Sequence, residues 1–397
     1  MRISTYAMHQ TALETLLRQQ STLSRTQEQI ATGKRLLSPA DDPAAAVHIA
    51  ELERALAESA QFARNSDMAE ARLSLTETAL ANAGETLQRV RELVVQANTG
   101  TMDDDSRALI ASEVKELLNE LLDIANRKDA NGEYLFAGYS TLNQPFVRTA
   151  AGIAYVGDQG VRMLQIGPAM RVPDGQSGQR VFVDVPAGNG SFVTAANPGN
   201  TGSGVIDAGV IADRTAWVPG DYTLRFTSPT TWEVVDAAST VVASGTYTSG
   251  AAIEFNGARV TVTGAPEAGD AFTISRAGSK DMFSMVEDVL AALQAPIDTP
   301  ADRAQVTTRL GAALTQIDKA IDHLLAVRGE VGSRLSSIER AADARADLDL
   351  QITQSLSELR DLDYAEAVSR MNRQLVGLEA AQLSYVRISQ LSLFDYL

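Results

Sequence analysis

The chain has 397 residues, a formal net charge of -16 and a pI near 4.7. Its length allows roughly two or three domains, and its acidity excludes nucleic acid as a partner, because phosphate binding needs a basic footprint. The absence of cysteine excludes disulfides, Cys-ligated metals and thiol nucleophiles together. With no apolar run near the roughly 18 residues of a span, no membrane insertion is expected.

In chain order, the prolines divide the sequence. None occurs from Ala44 to Gln144 or from Ala301 to Leu397, whereas Pro145 to Gly278 holds 8 of the 12 prolines, 19 of the 28 glycines and both tryptophans. Proline breaks helix interiors, so the two arms are predicted as long helices that pair from opposite ends of the chain. The middle is predicted as a β insertion. The fold class is therefore α + β, an antiparallel helical-bundle or coiled-coil pair of arms with an inserted all-β domain. The expected domains are 1–43 with 361–397, terminal helices that order only against neighbours; 44–145 with 278–360, a helical rod with a short β-hairpin; and 146–277, a surface-exposed β domain.

The first helix is predicted from about Thr5 to Arg35. Leu16, Leu23, Ile30 and Leu37 recur every seven residues, a coiled-coil spacing. Their companions are read as Gln20, Gln27 and Lys34, so the seam is half empty and the helix is marginal alone. Ser38 to Pro43 stops it, with Asp42 as N-cap of the next helix and Pro43 at its first position. That second helix runs to about Gln96, with Leu52, Leu73, Leu80, Leu87 and Val94 on one heptad position and Ala55, Phe62, Ala69, Ala83 and Val90 three further on. Acidic residues from Asp103 cap a third helix, which carries Ile110, Val114, Leu117, Leu121 and Ala125. Asn131-Gly132 signals a turn, and Glu133–Gly138 is read as a short strand.

Alternation then marks half-buried strands at Val181/Val183/Val185, Tyr222/Leu224/Phe226, Ile253/Phe255, Val260/Val262 and Phe272/Ile274, with a long loop over 186–209. Helix returns near Lys280, is interrupted at Pro296 and Pro300, and resumes to about Leu359. A last helix carries Val368, Met371, Leu375, Leu378 and Tyr385 and runs into an apolar tail with Leu391, Leu393 and Phe394, which expects something to cover it. These eight residues, with Leu16, Leu23, Ile30 and Leu37, are the candidate subunit interface.

Catalytic and metal motifs are weak. His9, His48 and His323 have no metal-ligand spacing and read as helix-surface residues. Gly33-Lys34 has Glu28 where a P-loop needs its first glycine and Arg35 where it needs Ser or Thr. No cofactor, metal or catalytic residue is expected. Trp217 and Trp232 read as core packing, with a carbohydrate platform on the β domain as the competing class.

The stretch Leu23-Ser24-Arg25-Thr26-Gln27-Glu28-Gln29-Ile30-Ala31-Thr32-Gly33-Lys34-Arg35-Leu36, followed by Pro39-Ala40-Asp41-Asp42-Pro43, resembles the N-terminal segment of bacterial flagellins. Leu362-Asp363-Tyr364-Ala365-Glu366-Ala367-Val368-Ser369 resembles their C-terminal signature. Within that superfamily, Met1-Arg2-Ile3-Ser4-Thr5 and Ala130 to Gly138 resemble the hook–filament junction branch. The Tyr134–Gly138 strand and the proline after Asp42 depart from flagellin.

The resemblance implies paired terminal helices in an inner tube, β domains facing solvent, and export of the unfolded chain through the flagellar type III channel to an extracellular position. Met1–Gln10 lacks the apolar segment of a cleavable signal peptide, as that route implies. The implied partners are hook-associated protein 1, flagellin, copies of the chain in a ring, and an export chaperone. The close alternative is a filament subunit, flagellin itself.

Overall fold

The computed structural model describes residues 5–99, 102–150 and 152–394, with side chains except at 5, 6, 8 and 388–394. Six α-helices frame it: α1 (Thr5–Thr32), α2 (Pro43–Ala97), α3 (Asp104–Ala125), α4 (Met282–Leu293), α5 (Pro300–Arg360) and α6 (Tyr364–Phe394). The chain forms two compact units, Met1–Arg64 with Ala341–Leu397, and Asn65–Arg340; α2 and α5 contribute to both.

In the larger unit, the predicted α2 stripes are core. Leu73, Leu80, Leu87 and Val94 are buried, as are Ala69, Ala83 and Val90, and α5 supplies Leu310, Ile317 and Leu324. Ion pairs lace α2 to its neighbours: Arg89 to Glu113 of α3 at 2.7 Å, and Arg91 to Asp318 and Glu77 to Arg328 of α5 at 2.6 and 2.7 Å. Asp103 caps α3 by accepting from the Ser106 N–H at 2.8 Å, and Asp281 caps α4 in the same way from Ser284. Each satisfies a donor that the first helical turn leaves orphaned.

Residues 133–138 do not form the expected strand, and no hairpin forms there. Their only ladder contact is a bridge between Lys128 and Tyr134. Leu135, Phe136 and Ala137 are buried in succession outside any of the sheets. The segment is instead a plug. Phe136 packs edge-on to Phe182 with centroids 5.1 Å apart, and Phe146, Phe182, Phe283 and Tyr155 complete the aromatic cluster. Each fully buried Phe contributes about 1.5–3 kcal/mol by burial.

Arg72 of α2 holds the plug from below, reaching Asp129 at 2.6 Å, Glu133 at 3.3 Å and the Tyr134 carbonyl at 2.9 Å. The side chains of Arg72 and Asp129 are 7% and 9% exposed.

The expected strand through Val181 and Val183 is also corrected. Gln179–Val183 is a short π-helix that places Phe182 in the aromatic cluster; of the alternating valines, Val181 is buried in that turn, and Val185 belongs to a two-stranded ladder opposite Lys280. The segment read as a single β domain thus divides. Residues 146–186 carry small two-stranded pieces tied to the helices, and the larger sheets lie beyond.

Those sheets pack as a sandwich. One has the strand order Val241–Thr246, Thr231–Asp236, Tyr222–Ser228, Ala271–Arg276, Phe192–Ala196. In the other, Ala258–Thr263 pairs with Ala252–Phe255, Val205–Ile206 and Val210–Ile211. Strands Phe192–Ala196 and Val205–Ile206 lie within the stretch expected as loop; their shortness and the intervening Gly/Asn turns hid the alternation. Leu224, Phe226, Val260, Phe272 and Ile274 are at its centre, and Trp217 and Trp232 pack against that core.

Replacing Arg72 by Met leaves the Asp129 carboxylate buried without its cation. The expected cost is about 3 kcal/mol or more, read as a lowered urea midpoint for the helical circular-dichroism signal. An unchanged midpoint would show that the plug is held by its aromatic contacts alone.

Candidate assembly surface

The smaller unit is organised by a clasp between the α1–α2 and α5–α6 turns. Gly33 ends α1 at φ +69°, the left-handed region that glycine enters without strain. A Cβ there would lie 2.8 Å from the Tyr364 hydroxyl. The chain then runs beside the end of α5: the Arg35 N–H donates to the Arg360 carbonyl at 2.8 Å, and the Leu362 N–H donates to the Gly33 carbonyl at 3.0 Å. The Arg35 guanidinium donates twice to the Leu359 carbonyl, at 2.8 and 3.0 Å. A cation thereby caps the C-terminus of α5.

Asp41 fixes the rest of the turn. It accepts from the Leu37 and Ser38 N–H groups at 3.0 and 3.2 Å and pairs with Arg25. Desolvation opposes its charge, but the Leu37, Ser38 and Arg25 donors together outweigh it and pull the carboxyl down to about 2. Asp42 caps α2 through the Ala45 N–H at 3.0 Å, and Asp363 caps α6 through Ala365 and Glu366 at 2.9 and 3.0 Å. Both segments that resemble flagellins are therefore halves of one clasp.

From the clasp, α1 and α6 run antiparallel. Arg370 donates to Gln29 at 3.3 Å, and His9 meets Tyr385 edge-on with centroids 5.9 Å apart. Covered positions on α1 and just past its end are His9, Ala12, Leu16, Gln19, Leu23, Thr26, Ile30 and Gly33, alternating in steps of three and four, with Gln29 beside them. The companions of the leucine repeat are thus Gln19, Thr26 and Gly33; Gln20, Gln27 and Lys34 face outward. The half-empty seam stands, with a different half.

Of the candidate interface residues, Leu23 is buried, and Leu16, Ile30, Leu37, Met371, Leu375, Leu378 and Tyr385 are half-buried. Val368 is 41% exposed. The side chains of Leu391, Leu393 and Phe394 lie outside the described residues. The structure adds outward apolar residues that the heptad reading missed: Leu13 and Leu17 on α1, 50% and 57% exposed, and Val376 and Leu383 on α6, each 66% exposed. The adjacent pair Leu16-Leu17 was the available signal, since two consecutive helical residues cannot both enter one seam.

Among the described residues, no cluster of three His, Cys, Asp or Glu could hold a metal, and no helix is long and apolar enough to cross a membrane. The smaller unit presents exposed apolar residues on both of its terminal helices, and the terminal regions of the chain are of the bacterial flagellin type. Residues 3–141 match the bacterial flagellin N-terminal helical region and 314–397 the C-terminal helical region, while 195–276 match a D2-like domain of flagellar hook-associated protein 1.

The crystal structure of flagellar hook-associated protein 3 from Legionella pneumophila superposes with a TM-score of 0.76 at 32% identity, over 78% of this chain and 98% of that one. Hook-associated protein 3 of Escherichia coli K12 is 26% identical over 396 residues, 100% of this chain and 99% of its own length. Flagellin of the same organism is 34% identical over only 118 residues, 30% of this chain and 24% of its own. The chain belongs to the flagellar hook-associated protein 3 family.

Two outcomes test the clasp. Gly33→Ala should destabilise the smaller unit by about 1–2 kcal/mol, the cost of a left-handed conformation with a Cβ, because the Tyr364 hydroxyl can swing aside. Faster hydrogen exchange at the Arg35 and Leu362 amides reads it. For Asp41, the folded carboxyl lies below its ordinary 3.8, so its contribution is complete above that value and is lost as pH falls through about 2. Exchange protection at Leu37 and Ser38 should fall over that interval, and Asp41→Asn should remove the pH dependence.

Proposed function

We propose that this chain is a structural adaptor subunit of the bacterial flagellum, joining the hook, through hook-associated protein 1, to the flagellin filament. Copies assemble in a ring through their terminal helices. The chain reaches this extracellular position unfolded, through the flagellar export channel and with an export chaperone. The observation that carries the reading is the pair of outward apolar faces, Leu13 and Leu17 on α1 and Val376 and Leu383 on α6. Apolar side chains aligned on both helices of an acidic protein mark a surface awaiting partners. Val368 continues it. The inner residues, from Leu16 to Tyr385, hold the two helices together so that the outer ones are presented.

Inner and outer residues separate experimentally. Leu17→Asp or Leu383→Asp would place an unpaired charge in a desolvated subunit contact, at a cost of several kcal/mol. The isolated chain should change by no more than about 0.5 kcal/mol, as for other surface substitutions. Cells carrying either variant should export it normally, shed flagellin and show bare hooks. Full filaments on such cells would sink the adaptor contact. Labelled antibody against the unsubstituted chain should mark a band at the hook–filament boundary, and label along the filament would favour a filament subunit.

A further inference from the structure

Asparagine followed by glycine is a chemically labile pair. With no side chain beside it, the glycine nitrogen can reach the preceding side-chain carbonyl carbon and close a five-membered ring. The sequence holds three such pairs, Asn131-Gly132, Asn189-Gly190 and Asn256-Gly257, and the fold protects two of them. The Asn189 amide oxygen accepts from the Ser191 and Phe192 N–H groups, each at 2.9 Å. Its nitrogen donates to the Ala208 and Gly209 carbonyls at 3.1 and 3.0 Å, so turning this amide toward Gly190 breaks four bonds. Asn256 is half-buried and donates to the Tyr222 hydroxyl at 3.2 Å. Its peptide link to Gly257 is pinned, because the Asn256 carbonyl accepts from Val218 and the Gly257 carbonyl from Ala212 and Asp213. Asn131 has no such restraint. It is exposed, as is Gly132, and only its backbone N–H is engaged among the described residues, by Asp129 at 2.9 Å. The Gly132 N–H is held by one bond, to the Asp129 carbonyl at 3.1 Å, and surface loops open at little cost.

We propose that Asn131 is a site of spontaneous deamidation, and that its product loosens the plug at Leu135–Ala137. The Gly132 nitrogen bonds to the Asn131 side-chain carbonyl carbon as the bond to the amide nitrogen breaks. The Gly132 N–H proton leaves with that nitrogen as ammonia, and a succinimide remains. Water then opens the ring at either carbonyl and returns a proton to the Gly132 nitrogen. One opening gives aspartate. The other gives isoaspartate, whose main chain runs through the side-chain carbons and is longer by one.

The place of the turn makes the change felt. One Asp129 oxygen accepts from the Asn131 and Glu133 N–H groups, at 2.9 and 3.0 Å, and the other meets Arg72 at 2.6 Å. Either product adds a carboxylate beside two that already face Arg72, so like charges crowd one guanidinium. Isoaspartate also lengthens the chain between Asp129 and Glu133, and the two bonds to that Asp129 oxygen cannot both keep their geometry. Arg72 and Asp129 are buried, and weakening a buried pair is costly. The next carbonyl along, that of Tyr134, is the one Arg72 holds at 2.9 Å at the entrance to the plug.

Peptide mapping by mass spectrometry tests the site. The folded full-length chain, held in mildly alkaline buffer, should lose the Asn131 amide while Asn189 and Asn256 keep theirs. In concentrated urea, where the fold protects nothing, all three should be lost. Retention of the Asn131 amide in the folded chain overturns the assignment, and so does equal loss at Asn189 or Asn256. The urea midpoint of the helical circular-dichroism signal tests the consequence, and the aged chain should show a lower midpoint than the fresh one. Asn131→Gln keeps an amide but would have to close a six-membered ring, so its midpoint should hold through the same incubation. An unchanged midpoint in an aged chain that has lost the Asn131 amide would overturn the link to the plug. An equal fall in the Asn131→Gln chain would overturn it as well.

Discussion

Arg35 and Leu359 are 324 positions apart, yet the guanidinium of one caps the helix that ends at the other. The surrounding backbone bonds, Arg35 to Arg360 and Leu362 to Gly33, return the chain to its own beginning. Everything else in the smaller unit depends on that return. It sets the antiparallel start of α1 and α6, and so fixes which residues of each helix face inward. Gly33 allows the reversal because its backbone is left-handed, Asp41 ties down the Leu37 and Ser38 N–H groups of the turn, and Asp42 and Asp363 satisfy the N–H groups that two abrupt helix starts leave over. The loop enclosed by the clasp is long, but closure entropy grows only with the logarithm of length, so a few charge-assisted bonds suffice to hold it.

The polarity of the seam explains why the pair is not simply a stable hairpin. Alternate inner positions on α1 are filled by Gln19, Thr26 and Gly33 beside Leu16, Leu23 and Ile30. A coiled coil built this way gives up burial energy and gains definition, since a polar position on the seam restricts register. The outer faces hold the leucines that a self-sufficient pair would have turned inward.

The helical arms were legible because proline exclusion and heptad spacing are local properties that long helices cannot avoid. The caps at Asp42 and Asp103 were legible for the same reason. Register on α1 was not, because Leu16, Leu23 and Ile30 are compatible with companions three or four residues away, and only α6 chooses between them. Residues 133–138 and 179–183 were misread as strands since short apolar runs fit a strand or a buried irregular segment equally. What decided them was Phe136, Phe182 and Phe283 converging from three distant parts of the chain. The outward apolar residues escaped notice singly, because exposed leucines are ordinary and gain meaning only once the inner face is known.

The pairing of α1 with α6 also sets a schedule. At about 5–20 residues per second of synthesis, the stretch between Thr32 and Tyr364 occupies the ribosome for tens of seconds. Throughout that interval α1 has no seam to close, and its half-polar inner face is too weak to hold it as a settled helix. The larger unit can form from its own contacts while the first helix waits. A nascent chain of this design therefore keeps α1 unclaimed until α6 has been made, which gives any machinery that must grip it a window fixed by the distance between the two helices.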